Sequence, residues 1–227
     1  LGKKKELSAL LVTEQARGKT LDHYIAAAVH EQQQSRLIEK LGLLARFFSL
    51  LHARTLSRTS TSFDYPAGYL AHMLALFRER TVFGAEAGAI QEEADKWWAK
   101  PELMSDCEVL VHRDATPTNF LFSGRQVTGI DLDKMRMADR CWDLGFIAAE
   151  LKHHFLWRTG DPWGAEPYIG HFLREYAAGL PYGGRFADIT RRTPLFMGLG
   201  LARIARNEWL GEAYRRRLLV EAGLCLK

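Results

Sequence analysis

One stretch, VLVHRDATPTNFLFSGRQVTGIDLDKMRMADRCWDL (residues 109–144), limits most severely what this chain can become. It sets a carboxylate, Asp114, ahead of an amide, Asn119, in a loop between two apolar runs, and a second carboxylate, Asp131, at the end of the next run. Magnesium prefers hard oxygen ligands and keeps several waters, so an amide oxygen and a carboxylate suit it. A loop carboxylate can accept the proton of an attacking hydroxyl. Together the three match what phosphoryl transfer asks for, namely an oriented nucleophile and neutralised phosphate charge. A lone loop Asp more often caps a turn, and it is the combination at this spacing that favours chemistry. Asp133 lies two residues past Asp131; in an extended segment the two would share a face, as a second metal ligand or as a solvated neighbour.

Composition narrows the partners. The chain has 227 residues, 47% of them hydrophobic, enough for one large or two small domains. Its net charge is only +4, and no basic stripe interleaved with aromatics points to nucleic acid. The run Arg215-Arg216-Arg217 reads as a solvated helix face. Three dispersed cysteines, Cys107, Cys141 and Cys225, without a CxxC pair argue for a reducing compartment and against a zinc site. No apolar run approaches the roughly 20 residues of a membrane span. Lys3-Lys4-Lys5 is followed by Glu6 and a short apolar run, which is no signal peptide. These features together suggest a cytoplasmic protein. The chain opens on Leu1, as a piece of a longer product would.

Periodicity gives a mainly helical α+β chain with a few short strands. Residues 7–13 read as a buried strand, and Gly18 closes a polar connector. Thr20 is an N-cap for a helix to about Gln34, and Ser35 a cap for the next, to about Ala53. In that second helix Leu37, Leu41, Leu44, Phe48 and Leu51 form one stripe. After a Ser/Thr-rich loop, Pro66 begins a helix and residues 85–99 form another, anchored by Trp97 and Trp98. Residues 108–111, 119–122 and 126–132 are short strands beside the functional loop. Helices follow at about 143–157, 163–178, 189–210 and 211–224. Adjacent His153 and His154 lie on different sides of a helix, and Trp157, Trp163 and Trp209 are core or pocket wall.

HRDATPTN resembles the HxDxxxxN catalytic loop of protein-kinase-like folds, and GIDLD their metal-binding strand end. The continuation MRMADRCWDLG resembles aminoglycoside phosphotransferase-like small-molecule kinases, where an Asp-Arg/Lys pair precedes an aromatic-Asp-Leu/Ile at a helix start. Residues 132–138 leave no room for the activation loop of protein kinases, so a protein substrate is not expected. LLVTEQARGKTLDHYI resembles the last N-lobe strand, hinge and first C-lobe helix of such kinases, and LLARFFSLLHA the helix before the catalytic loop. The helical insert from about Pro66 to Pro101 is typical of the small-molecule kinases.

The resemblance implies a protein-kinase-like C-lobe over residues 18–227, with residues 1–17 supplying the last N-lobe strand and hinge and most of the N-lobe absent. It implies Asp114 as base or hydroxyl-orienting group and Asn119 and Asp131 as Mg2+ ligands, with His112 and Asp143 in support. Asp143 would cap its helix and brace the catalytic loop. Hinge backbone at Thr13, Glu14 and Ala16 would bind the adenine of ATP. Arg113 stands where the small-molecule family usually has Gly, and in protein kinases an Arg here pairs with a phosphorylated activation loop that this chain has no room for. No Gly-rich phosphate loop or strand Lys is present, so weak ATP binding by this chain alone is expected. The acceptor would be a small-molecule hydroxyl, of an aminoglycoside, sugar or amino alcohol, held between insert and C-terminal helices. Glu86, Glu92, Glu93, Asp95 and Glu166 are the acidic candidates for a polycationic acceptor. Alternatives are a lipopolysaccharide-core sugar kinase and a degenerate, inactive kinase-like module.

Overall fold

A computed structural model describes residues 14–79, 81–100, 103, 105–181 and 186–227. Among them, five short strands sit against eight α-helices. In chain order these are β1 (Lys19–Thr20), α1 (Leu21–His30), α2 (Gln34–Arg54), α3 (Asp64–Glu79), α4 (Gly84–Trp98), β2 (Val109–Val111), β3 (Phe120–Ser123) and β4 (Gln126–Gly129). Then come β5 (Arg136–Ala138), α5 (Cys141–Thr159), α6 (Glu166–Ala178), α7 (Phe186–Ala205) and α8 (Glu212–Cys225). β1, β3 and β4 form an antiparallel sheet in that order, and β2 pairs antiparallel with β5, Val111 opposite Arg136.

α5 is the axis. It is buried on almost every face from Cys141 to Leu156, and a helix without a solvated face belongs in a core. Its approach to α7 depends on two glycines. A Cβ on Gly145 would lie 2.4 Å from Cβ of Phe196, and one on Gly200 would lie 2.6 Å from Cβ of Ala149. Trp142 is 1% exposed, with Tyr65, Tyr69, Phe146 and Phe196 around its ring at centroid distances of 5.1–5.6 Å. That cluster joins the insert helix α3 to α5 and α7. Large aromatics buried in this way dominate core energetics. α4 packs on α8, where Trp97 donates from Nε1 to the Leu226 carbonyl at 2.9 Å, and Trp98 packs against Phe63. The insert thus docks on the C-terminal helices.

The stripe of α2 is buried at Leu37, Leu41, Leu44 and Phe48, with Leu51 half-buried. Thr20 caps α1 by accepting from the His23 amide at 3.4 Å. Other expectations need correction. α1 ends at His30, since Gln32 takes a left-handed φ of 57° that a helix cannot continue through. Ser35 lies inside α2, whose N-cap is Gln33 without a side-chain hydrogen bond. β4 stops at Gly129, because Asp131 is left-handed (φ 61°) and residues 132–134 make a 3-10 turn. Asp131 and Asp133 therefore do not share a face of an extended segment. β5 was not expected at all. The expected strand at 7–13 lies outside the described residues. Gly18 is required where it is: its φ is +122°, and a Cβ there would meet the Phe122 carbonyl oxygen at 2.3 Å.

Candidate active site

β2 delivers the chain to His112 and Arg113, whose backbone amides both donate to one carboxylate. His112 N lies 2.8 Å from Oδ2 of Asp143 and Arg113 N lies 2.9 Å from its Oδ1. Asp143, fully buried in the first turn of α5, also faces Nε2 of His52 at 3.3 Å. With that nitrogen donating, His52 Nδ1 accepts from the Tyr176 hydroxyl at 2.8 Å. A buried carboxylate is tolerated when its lone pairs are filled by donors in this way. Asp143 therefore braces the loop as expected, but it is not the helix cap. Asp139 makes the capping contact, accepting from the Cys141 amide at 2.7 Å.

Arg113 has φ +68°, the region where glycine is free and other residues are strained. This explains why a glycine suits the position. The side chain rests on Tyr65, its Cζ 5.1 Å from the ring centroid. Beyond it Pro117 opens a 3-10 turn, Pro117–Asn119. Asn119 donates from Nδ2 to the Asp114 carbonyl at 2.9 Å, and its backbone carbonyl accepts from the Ile130 amide at 3.0 Å. His112 donates from Nε2 to the Ile130 carbonyl at 2.9 Å, the loop-backbone contact expected of it. Strand end and loop are thus tied twice, so Asp131 emerges at a fixed place beside Asn119.

At the open face, Asp114 is half-buried with both carboxylate oxygens engaged. Lys134 approaches Oδ2 at 2.6 Å and Arg203 approaches Oδ1 at 3.0 Å. The hydrogen bond to Asp114 raises the Lys134 ammonium above its ordinary value. Arg203 turns its other nitrogen to Oε1 of Glu150 at 2.6 Å. Burial pushes the Glu150 carboxyl up to about 7 against the opposing pull of Arg203. Lys134, Arg203, Glu150 and His52 were missed from sequence. Lys134 stands inside GIDLDKM and could have been weighed there, whereas the others are brought in from distant helices.

Asp131 is exposed and, like the amide oxygen of Asn119, makes no hydrogen bond or ion pair among the described residues. A carboxylate and an amide oxygen left uncommitted, with the Ile130 amide before Asp131 bonded to the Asn119 carbonyl, fit a hard cation. No group of three His, Cys, Asp or Glu side chains among the described residues forms a metal cluster. Glu14 is exposed and Ala16 half-buried, both without regular structure, and Thr13 lies outside the described residues.

Of the acidic candidates, Glu86, Glu92 and Glu93 line one cleft of about 310 Å³ between α4 and α8, while Asp95 and Glu166 do not line it. Glu86 pairs with Arg216, Glu93 with Lys96 at 2.7 Å, and Glu166 with Lys152 at 3.5 Å, while Asp95 accepts from Gln91 at 2.8 Å. His153 turns to the Tyr214 hydroxyl at 2.7 Å and His154 to Asp22 at 3.4 Å, on different sides of α5 as expected. Burial lowers both imidazoles to about 3. Trp157, Trp163 and Trp209 are more than half exposed, so none is core. Trp209 instead walls a cleft of about 400 Å³ with Leu76, Phe77, Arg206 and Asn207, between α3 and the end of α7.

Solved structures with the same fold include a glucosamine kinase, at 18% identity and a TM-score of 0.58, matching 90% of this chain and 56% of that one. A glucosamine kinase in complex with glucosamine, ADP and inorganic phosphate matches at 18% identity and a TM-score of 0.57, over 90% and 55%. An ethanolamine kinase from Plasmodium vivax matches at 14% identity and a TM-score of 0.59, over 95% and 66%. The chain thus spans little more than half the length of the glucosamine kinases it matches. No curated protein matches it in sequence. A family described as the phosphotransferase enzyme family matches residues 2–187, the greater part of the chain and the whole of the catalytic stretch, and to that family the chain belongs.

Proposed function

We propose that the protein transfers the γ-phosphoryl group of ATP to a hydroxyl of a small molecule. The observation that carries this reading is the mutual locking of the loop, in which Asn119 holds the Asp114 backbone at 2.9 Å while Asp131 follows a strand tied to the same loop. Family membership and the kinase fold of the similar structures support it.

In this mechanism Asp114 orients the acceptor hydroxyl and takes its proton as the new bond forms. Lys134 and Arg203 fix the Asp114 carboxylate from two sides, so its direction does not depend on solvent. Asn119 and Asp131 would hold magnesium, which would supply positive charge against the phosphates when bound. His112 and Asp143 keep the loop in place, and the backbone near Glu14 and Ala16, with Thr13, would receive adenine. Little covalent work is left for the protein beyond positioning.

An ADP-release assay on the full-length protein with a panel of hydroxyl acceptors tests the reading. Turnover should require an acceptor and Mg2+, and Asp114→Asn should lower it by about a thousandfold, in the range typical of lost acid–base and positioning groups. Unchanged turnover in that variant would overturn the role given to Asp114. No turnover with any acceptor would favour the inactive-module reading.

A further inference from the structure

A row of polar side chains runs from the first turn of α1 to Asp114. Asp22 stands in that turn, its Oδ1 3.1 Å from Nη2 of Arg158 and 3.4 Å from Nδ1 of His154, both on α5. Glu150, His154 and Arg158 are spaced four residues apart, so they stack along one face of α5. Arg158 also donates to Nδ1 of His154, which leaves the imidazole proton on Nε2, facing Oε2 of Glu150 at 3.9 Å. Burial and the neighbouring Arg158 lower that imidazole to about 3, so it is an uncharged spacer between the guanidinium and Glu150. From Glu150 the row continues through two close ion pairs. Oε1 lies 2.6 Å from Nη2 of Arg203, whose Nη1 lies 3.0 Å from Oδ1 of Asp114. The side chains of Glu150, His154, Arg158 and Arg203 are 9–18% exposed, against 37% for Asp22, so the row meets solvent chiefly at its α1 end.

Resting on the phosphotransferase reading, we infer that Asp22 is a positioning residue for phosphoryl transfer, which holds Arg158 at the α1 end of the row and so keeps Glu150 for Arg203. Three carboxylates, Asp22, Glu150 and Asp114, are served by two guanidiniums, Arg158 and Arg203. Without Asp22, the carboxylate left to Arg158 within the row is Glu150, two turns back on the same helix face. A partly buried cation seeks the nearest anion, so Arg158 then draws Glu150 away from Arg203. Arg203 is freed from one of its two anchors, and the direction it gives Asp114 is lost. Asp22 touches no reacting group, and its whole effect passes through Glu150.

Steady-state kinetics of the full-length protein at about pH 8, above the value of about 7 to which burial raises Glu150, test the assignment. Asp22→Asn should lower kcat about three- to fivefold, the range open to a partly exposed ion pair, with acceptor KM changed by less than about twofold. Adding Arg158→Gln removes the competing cation, so the double variant should return to within about twofold of the parent, a recovery that a merely structural role of Asp22 does not give. Asp22→Glu should keep at least about half of the parental kcat, and in the Glu150→Gln background Asp22→Asn should cost nothing further. An unchanged kcat in Asp22→Asn, a loss confined to KM, or no recovery in the double variant would overturn the inference and leave the phosphotransferase reading intact. A parent protein that turns over no acceptor would overturn both.

Discussion

The two sides of the catalytic loop are built from the same residue types and used in opposite ways. Behind the loop, Asp143 is 0% exposed and gives both oxygens to backbone amides, with His52 and Tyr176 completing the network. In front of it, Asp131 is exposed and Asn119 keeps its amide oxygen free. A carboxylate whose lone pairs are filled by two backbone amides and a buried imidazole holds shape. One whose lone pairs are empty is available to a ligand. The difference teaches that rigidity and reactivity are segregated across the thickness of a single loop, with Asp114 held between them by cations.

The strongest way to break this contrast is to delete one carboxylate on each side. Asp143→Ala leaves two buried amides and the buried pair of His52 and Tyr176 without an acceptor, and should lower stability by about 3–5 kcal/mol, as uncompensated buried polar groups do. Asp131→Ala should change stability by less than about 0.5 kcal/mol, as expected of an exposed side chain without partners, while turnover falls steeply. Denaturant midpoints at unchanged slope measure both. Equal losses in the two variants would mean that the front carboxylate is structural too.

The same segregation explains what could be read from the sequence. His112, Asp114, Asn119, Asp131 and Asp143 all fall within residues 109–144, so their spacing survives in one dimension. Helix stripes such as Leu37, Leu41, Leu44 and Phe48 repeat with the helix period and were legible for that reason. Arg203 reaches Asp114 across 89 residues and His52 reaches Asp143 across 91, single contacts with no periodicity to announce them. Lys134 is near in sequence, yet its contact with Asp114 depends on the left-handed turn at Asp131, which an expected continuous strand concealed. The early end of α1 was hidden likewise, because Gln32 turns left-handed without the glycine that usually signals it.

A milder test sharpens the boundary between the two sides at Glu150. This carboxyl is buried on α5 behind the site, but through Arg203 it touches the front. Burial raises it to about 7, from about 4.3 for an unfolded Glu. Its proton is held more tightly in the folded state, so its contribution to stability is fully present below about pH 4.3 and is lost as pH rises through about 7. Protonation below about 7 also removes one of the two anions held by Arg203, leaving that cation to Asp114 alone. Turnover should therefore drop about three- to tenfold as pH falls through about 7, and Glu150→Gln should abolish this inflection and keep the lower rate. An inflection that persists in the variant would assign it to another group.

The smallest expected effect is the most direct probe of how the brace works. Arg113 occupies a left-handed conformation, which costs a residue with a side chain about 1–2 kcal/mol. Arg113→Gly relieves that strain, loses the contact with Tyr65, worth about 0.5–1 kcal/mol, and adds about 0.5–1 kcal/mol of backbone entropy. The backbone amide that donates to Asp143 remains, because it belongs to the main chain. These terms nearly cancel, so stability should stay within about 1 kcal/mol of the parent. Any larger consequence should appear in turnover rather than in stability. A loss above about 2 kcal/mol in denaturant unfolding would show that the loop is held by the Arg113 side chain as well as by its amide. The division between a backbone-built rear and a side-chain-built front would then fail at the one residue that belongs to both.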